Sequence, residues 1–513
     1  MGMLKSISLE NYKCFRDKTD IEIAPLTVLC GVNSSGKSSI LKSLLMLKQS
    51  YENESPTHSM LFSGDYADNG SFDDIIYHHY KQDIKEDSYF TITNSFRIKD
   101  TSNEYGKNLV KRQDIASYKE LKRVFMLTKS SKKIKCFDMK IEIEVQRPAE
   151  TESPFEFYIE SNIIKNYRVS INLLDKDGNK IDDNKHYIFV KKNFSSNNED
   201  NDGWKLSWDG IPPIRGNAVS KENYPCTCYF SGLQIKNIYA NNMEIDVRNV
   251  LPNILSIFKI ASFQTDGINF IAPLRQHPAR RYAINGDVSS VGISGEKTPI
   301  LLAKEFNNIK TDVVPPYIKI DGDKNIVSWE TRRDEFSKLV QEWMRYLSLG
   351  ELSLSGKNGL VELNINNHNI VDVGFGVSQA LPIIVQGLYL SKDQSLLLEQ
   401  PEIHLHPEMQ LQMADFLIAL AKNEKNIIVE THSDHFINRI VKRMLQDTSG
   451  ELRKMIKIYY VNSTPEISFI TDISVDPQNG ITNAPVEFFT QFGSETLNIA
   501  KCAMENYRGD VKW

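Results

Sequence analysis

Eight consecutive residues near the start form the pattern G-x-x-x-x-G-K-[ST]: Gly31, Val32, Asn33, Ser34, Ser35, Gly36, Lys37 and Ser38. Small residues let the backbone turn tightly, so that successive N–H groups point inward at phosphate oxygens. A lysine neutralises phosphate charge there, and a serine hydroxyl is an oxygen ligand suited to Mg²⁺. The surroundings strengthen the reading. Residues 21–30 (IEIAPLTVLC) run apolar, as a strand does, and residues 37–50 (KSSILKSLLMLKQS) place apolar side chains at helical spacing. Strand, loop and helix in that order add the positive end of a helix dipole to the same oxygens. Gly31, Asn33, Ser34, Ser35, Gly36, Lys37, Ser38 and Ser39 are therefore the expected nucleotide-binding residues.

A second cluster lies far along the chain. Residues 395–399 (SLLLE) read as a buried strand that delivers Glu399 to a sheet edge, where it is the expected Mg²⁺ partner beside Ser38. Gln400, Pro401, Glu402, Ile403, His404, Leu405, His406 and Pro407 follow. His404 and His406 have no third ligand at a convincing spacing, so they read as hydrogen-bonding loop residues and not as a metal site. Residues 408–421 are helical, and 426–430 (NIIVE) form a further strand that runs into Thr431, His432 and Ser433. His432 is placed to reach the terminal-phosphate edge, and Ser433 or Asp434 to cap the next helix. Strand–helix–strand order implies a parallel sheet with its ligands at the C-terminal strand ends.

These elements need two bodies of chain around them. At 513 residues the chain is long for one compact unit. The sequence divides into 1–84, holding the phosphate loop; 85–267, polar and β-rich; and 268–513, where α/β patterning returns. The expected fold class is an α/β P-loop NTPase with a mixed α+β insertion at 85–267. A net charge of −5 gives no global reason to bind nucleic acid or a membrane. The local exception is the basic stretch from Lys107 to Lys140, read first as a solvated face and second as a nucleic-acid surface. No apolar run is long enough to span a membrane, no signal peptide is evident, and a cytoplasmic location is expected. Met1-Gly2 formally fits a myristoylation pattern, but a short extension ahead of a Met3 start is the simpler reading. The six cysteines lack a zinc-site spacing, Cys226-x-Cys228 included, and read as reduced thiols. Asn179-Lys-Ile-Asp182 imitates a guanine-reading motif, yet it follows Asp177-Gly178 and reads as a hairpin turn. Asp175-x-Asp177-Gly178 puts its glycine too early for a Ca²⁺ loop.

Taken together, the motifs resemble the ABC-type ATPase heads of the Rad50/SMC, RecF and OLD groups. Leu9-Glu-Asn11-Tyr12-Lys-Cys-Phe15 looks like their short N-terminal motif. Residues 399–407 and 430–433, with Ile271-Ala-Pro273-Leu-Arg275-Gln-His-Pro278-Ala-Arg280-Arg-Tyr282, are similar to AAA-family ATPases of the DUF3696-containing kind. The resemblance implies ATP and Mg²⁺ as cofactors and a homo-oligomer, at least a dimer, in which a signature motif caps the partner's terminal phosphate. Leu354-Ser355-Gly356-Lys357 and Val373-Gly374-Phe-Gly376-Val-Ser378-Gln379 compete for that motif. The first looks like a turn between strands; the second opens an apolar helix, and Gly376, Ser378 and Gln379 are the expected trans contacts. The group follows its metal-binding acid with a catalytic glutamate, whereas this chain has Gln400. A glutamine accepts no proton, so Glu402 becomes the expected base and His432 the γ-phosphate sensor, or else hydrolysis is slow.

The expected function is a dimerising ATPase that senses or regulates within a bacterial anti-phage system, with a separate nuclease of HNH or Toprim type as partner. The nearest resemblance is to the ATPase subunit of Septu systems. The residues after His432 hold no convincing acidic cluster, so a nuclease is expected in trans. The alternative is a DNA-repair or chromosome-maintenance ATPase of the RecF/Rad50 kind that binds DNA directly, although no sustained heptads supply coiled-coil arms. A stand-alone toxin lacks a visible catalytic cluster, and a transporter lacks a membrane span.

Overall fold

A computed structural model describes residues 2–54, 60–77, 88–99, 112–125, 133–146, 163–192, 203–216, 219–240, 243–284, 286, 288–321 and 324–491. Two large sheets organise them. The first is antiparallel throughout and nine-stranded: β1 (Met3–Glu10), β2 (Thr19–Glu22), β4 (Tyr89–Lys99), β5 (Cys136–Gln146), β6 (Ile163–Leu174), β7 (His186–Lys192), β8 (Trp204–Asp209), β9 (Lys221–Ser231) and β10 (Gln234–Tyr239), in the order β10-β9-β8-β7-β6-β5-β4-β1-β2. The second contains β3 (Leu26–Gly31), β11 (Ile268–Ile271), β12 (Ser395–Glu399), β13 (Asn426–Glu430), β14 (Ile456–Ser463), β15 (Ser468–Asp476) and β16 (Gly480–Thr482), in the order β11-β12-β13-β3-β14-β15-β16. Its first five strands are mutually parallel.

The apolar run 21–30 is two strands and not one. Pro25 has no N–H to give to a ladder, and the Thr27 hydroxyl accepts the N–H of Ala24 at 3.0 Å, turning the chain between them. The first half then joins one sheet and the second half the other.

Residues 85–267 do not stand apart from the N-terminal segment. They add seven strands to the sheet that β1 and β2 begin, with β1 pairing directly to β4. Helices α2 (Arg112–Phe125) and α3 (Ile245–Ser262) belong to the same stretch. Asp177 and Gly178 do form a tight turn between β6 and β7, where Asp175 accepts the N–H groups of Asp177 and Asn179, both at 2.9 Å.

Helix α1 (Lys37–Glu52) lies where the two sheets meet. Side chains alternate across the parallel strands, as a two-residue period requires. Leu29, Leu397 and Ile428 pack with α1 and the antiparallel sheet in one apolar cluster. Leu26, Val28, Cys30, Leu396, Leu398, Ile427 and Val429 pack on the other face against α4 (Phe336–Tyr346), α5 (Phe375–Tyr389), α6 (Pro407–Lys422) and α7 (Asp434–Gln446). Parallel strands covered on both faces read as continuous apolar runs, which is what SLLLE and NIIVE are. Polar clamps fix the helices that bracket the site. Asp415 on α6 is fully buried, receives two Arg443 donors from α7 at 2.7 and 2.9 Å, and accepts the Tyr346 hydroxyl at 2.6 Å. A buried carboxylate needs such complete pairing to be tolerated.

Among the described residues no helix is long and apolar enough to cross a membrane. The described cysteines are free thiols, with the Cys226 and Cys228 sulfurs 3.9 Å apart; Cys502 lies outside the described residues. Lys107, Lys111, Lys129 and Lys132 of the basic stretch also lie outside them. Of its described members, Arg123 is paired with Glu120 and Lys140 with Glu142.

Candidate functional site

The loop after β3 wraps a cleft of about 390 Å³, lined by Lys13, Cys14, Asn33, Ser34, Ser35, Gly36, Lys37, Ser38, Ser39, Gln400, Glu430 and His432. Two glycines are required by geometry. Gly31 has φ +134, and a Cβ there would sit 2.0 Å from the Val461 carbonyl of β14. Gly36 has φ +103, and a Cβ would strike the Cys14 sulfur at 2.3 Å. Lys37 is folded back on its own loop, donating to the carbonyls of Gly31 at 3.1 Å and Val32 at 2.6 Å. Its ammonium thus borders the space that phosphate oxygens would fill. Burial holds its pKa below the usual lysine value, while Glu430 pulls the other way.

Strand order explains the rest. β13 lies between β3 and β12, so the ends of both later strands reach the loop. Glu399 and Glu430 stand in register on these neighbours, on the same face of the sheet. Burial, and then the Glu430 charge, push Glu399 up to about 7. Gln400 follows with φ +45, its N–H given to the Glu430 carbonyl at 2.8 Å, and its side chain lines the cleft. The main chain at this turn is held by Arg275, which donates to the carbonyls of Glu399 at 3.2 Å and Gln400 at 3.4 Å. Arg275 is buried beside Glu402 and Glu399, and desolvation lowers it to about 10.

Of the residues expected from sequence, the cleft gathers all of the phosphate loop from Asn33 to Ser39 together with Gln400 and His432. His432 is half-buried, and burial and the nearby Lys37 hold its pKa below the normal value, so its ring is neutral near pH 7. Ser433 does cap α7, accepting the Phe436 N–H at 3.0 Å. His406 caps α6 and His404 packs on the Phe375 ring. Among the described residues no three metal-ligating side chains converge.

Glu402 is a correction. Its carboxylate does not line the cleft; it is buried behind it and accepts the His432 backbone N–H at 2.8 Å. A base must reach the attacking water, whereas one oxygen of this group holds the histidine loop and the other is buried without a partner. The signature residues need a second correction. Leu354 to Lys357 lie in a strand, Leu352–Lys357, that turns through Asn358 and Gly359 into Leu360–Ile365, as a hairpin should. The alternative does open α5, with Gly374 as its N-cap. Yet Ser378 and Gln379 are buried, and the Ser378 hydroxyl is returned to the Phe375 carbonyl at 2.7 Å. The exposed part of that helix start is Gly374 and Phe375, with Gly376 half-buried.

Three residues went unassigned in the sequence. Lys13 and Cys14 enter the cleft wall because the Cys14 carbonyl takes the Ser468 N–H and the sulfur abuts the loop glycine. Glu430 bonds the Ser38 hydroxyl at 2.9 Å. Its position at the end of NIIVE, two residues before His432, was the available signal.

A parallel sheet with a glycine-bounded loop, a lysine and a serine at the first turn of the following helix, and acids on two further strand ends, defines a P-loop nucleoside triphosphatase. Residues 3–226 and 289–437 match the family model for the AAA ATPase domain. The chain belongs to that family and is an ATPase of this kind. No curated protein matches it. Among solved structures it is similar, at 13% identity and a TM-score of 0.38, to an Smc head bound to the C-winged helix domain of ScpA, covering 92% of this chain and 98% of that one. The SMC head domain from Thermotoga maritima gives 9% identity and a TM-score of 0.35, over 92% of this chain and 100% of that one. An Smc head from Pyrococcus furiosus, with an extended coiled coil and bound to the C-terminal domain of ScpA, gives 13% and 0.38, over 92% and 97%.

Proposed function

We propose that this chain is a slow, Mg²⁺-dependent ATP switch whose site is completed by a second copy of itself. The observation that supports it best is the cleft at the strand ends, where Lys37, Ser38, Gln400 and His432 converge on the space the loop encloses. Lys37 moves from its loop carbonyls to the β and γ oxygens of the triphosphate. Hard oxygen donors, the Ser38 hydroxyl and the Glu399 carboxylate, fit Mg²⁺ and would hold it. When bound, the cation neutralises charge on the β and γ phosphates. Gln400 orients water with its amide and accepts no proton, so turnover is slow and the loaded state long-lived. His432, held by Glu402, reports on the terminal phosphate.

The start of α5 supports pairing. Gly374 and Phe375 are exposed there, at the end of the helix where backbone N–H groups lack partners and anions are favoured. In the paired state this end, Gly376 included, caps the terminal phosphate held by the other copy. The biological setting rests on the resemblance of this kind of head to the ATPase subunit of Septu systems: a regulatory subunit in anti-phage defence, with a nuclease on a separate chain. Lys37→Ala abolishes binding of a fluorescent ATP analogue and with it the ATP-dependent dimer in light scattering. Binding that persists in that variant refutes the assignment of the cleft. Co-elution of an HNH or Toprim protein encoded beside this gene tests the setting.

A further inference from the structure

Glu430 has no role in the scheme above, yet among the described residues it is the only acid that lines the cleft. It is 5% exposed. One oxygen accepts the Ser38 hydroxyl, and the other is buried without any hydrogen-bond partner. An unsatisfied buried polar atom is destabilising, and more so when charged, so a fold that keeps one has a ligand for it or a reason to be strained. Burial raises the Glu430 pKa while the Ser38 bond, Lys37 and Lys42 pull the other way, and neither lysine bonds the free oxygen. Glu399 stands in register beside it on β12. Glu430 thus brings a carboxylate to the Ser38 hydroxyl at the start of α1, with Glu399 beside it on the neighbouring strand, and all three are hard oxygen donors.

We propose that Glu430 is a carboxylate of the metal site, so that the divalent cation accompanying ATP is held from two adjacent strands, by Glu430 as well as Glu399, with Ser38 between them. The proposal rests on the ATP-binding reading. Its competitor is purely steric: Glu430 as an acceptor that orients the Ser38 hydroxyl. An acceptor for one hydroxyl needs no second buried oxygen, and Glu430 keeps one without a partner.

Glu430→Gln separates the two, because its amide carbonyl still accepts the Ser38 hydroxyl while the charge is gone. The measurement is binding of a fluorescent ATP analogue in EDTA and across a Mg²⁺ titration, with Mn²⁺ binding to the protein–ATP complex followed by electron paramagnetic resonance. In EDTA the variant binds the nucleotide as the parent does. Its Mg²⁺ and Mn²⁺ affinities fall at least about tenfold, the scale on which residues that support metal sites act. Glu430→Asp, which keeps the charge on a shorter stem, recovers part of that loss. Parental metal affinity in Glu430→Gln overturns the proposal in favour of the steric role. So does nucleotide binding lost in EDTA, which marks Glu430 as structural. A parent chain that binds no nucleotide with or without metal refutes the underlying reading instead, so the two failures are distinguishable.

Discussion

Gln400 follows Glu399 at the end of β12 and lines the cleft, where an amide accepts no proton. The structure puts it in the cleft wall with φ +45, anchored through its N–H to β13 and through its carbonyl to Arg275. The backbone is therefore fixed, and only the chemistry of the side-chain tip differs from a proton acceptor. A general base contributes about 10²–10⁴ in rate. Gln400→Glu should raise single-turnover hydrolysis at least about tenfold, because the carboxylate arrives already positioned. Glu402→Gln should slow hydrolysis by less than that, since it alters one bond, to the His432 N–H, and removes no reacting group. Rapid-quench assays on both variants decide the matter. Unchanged turnover in Gln400→Glu, together with abolished turnover in Glu402→Gln, would restore Glu402 as the base.

Helix α5 is where element-scale packing limits what can be tested. Ser378 and Gln379 face the core, so a large substituent at either would damage the fold before it reported on pairing. Gly374 is different: a Cβ there meets nothing within 4 Å, and its φ of −57 suits any residue. Gly374→Arg should leave the melting temperature and ATP binding close to the parent's while preventing the ATP-dependent dimer, as read by light scattering with saturating Mg·ATP. Normal dimers in that variant would remove α5 from the interface.

The same scale explains what the sequence made legible. The phosphate loop was readable because its donors are consecutive residues whose geometry is local. The helix at 375 was readable from its apolar spacing, but not which of its first residues face outward. Glu430 and Ser38 are separated by 392 positions and meet only because β13 inserts between β3 and β12. No periodicity in either segment contains that order. The split of 21–30 into two sheets had a local sign in Pro25, outweighed by an unbroken apolar pattern on both sides.

At the scale of the whole molecule, α1 joins the nucleotide site to the antiparallel sheet. It begins at the phosphate loop, and its 16 residues run roughly 24 Å at 1.5 Å each. At its far end the Tyr51 hydroxyl meets that of Tyr167 on β6 at 2.8 Å, and the Ser50 carbonyl takes the Leu233 N–H. Ile40, Leu44 and Tyr51 share one apolar cluster with strands β4–β8 and with Leu397 and Ile428 of the parallel sheet. A shared core has no seam along which 85–267 can melt alone. The chain should therefore unfold in one calorimetric transition. Mg·ATP at a hundredfold excess over its dissociation constant should move all of it upward, by an increment of about 2.7 kcal/mol in stability. If two transitions appear and ATP moves only one, the cluster is not a single cooperative unit. The antiparallel sheet would then be mechanically separate from the site, and α1 could not transmit the nucleotide state to it.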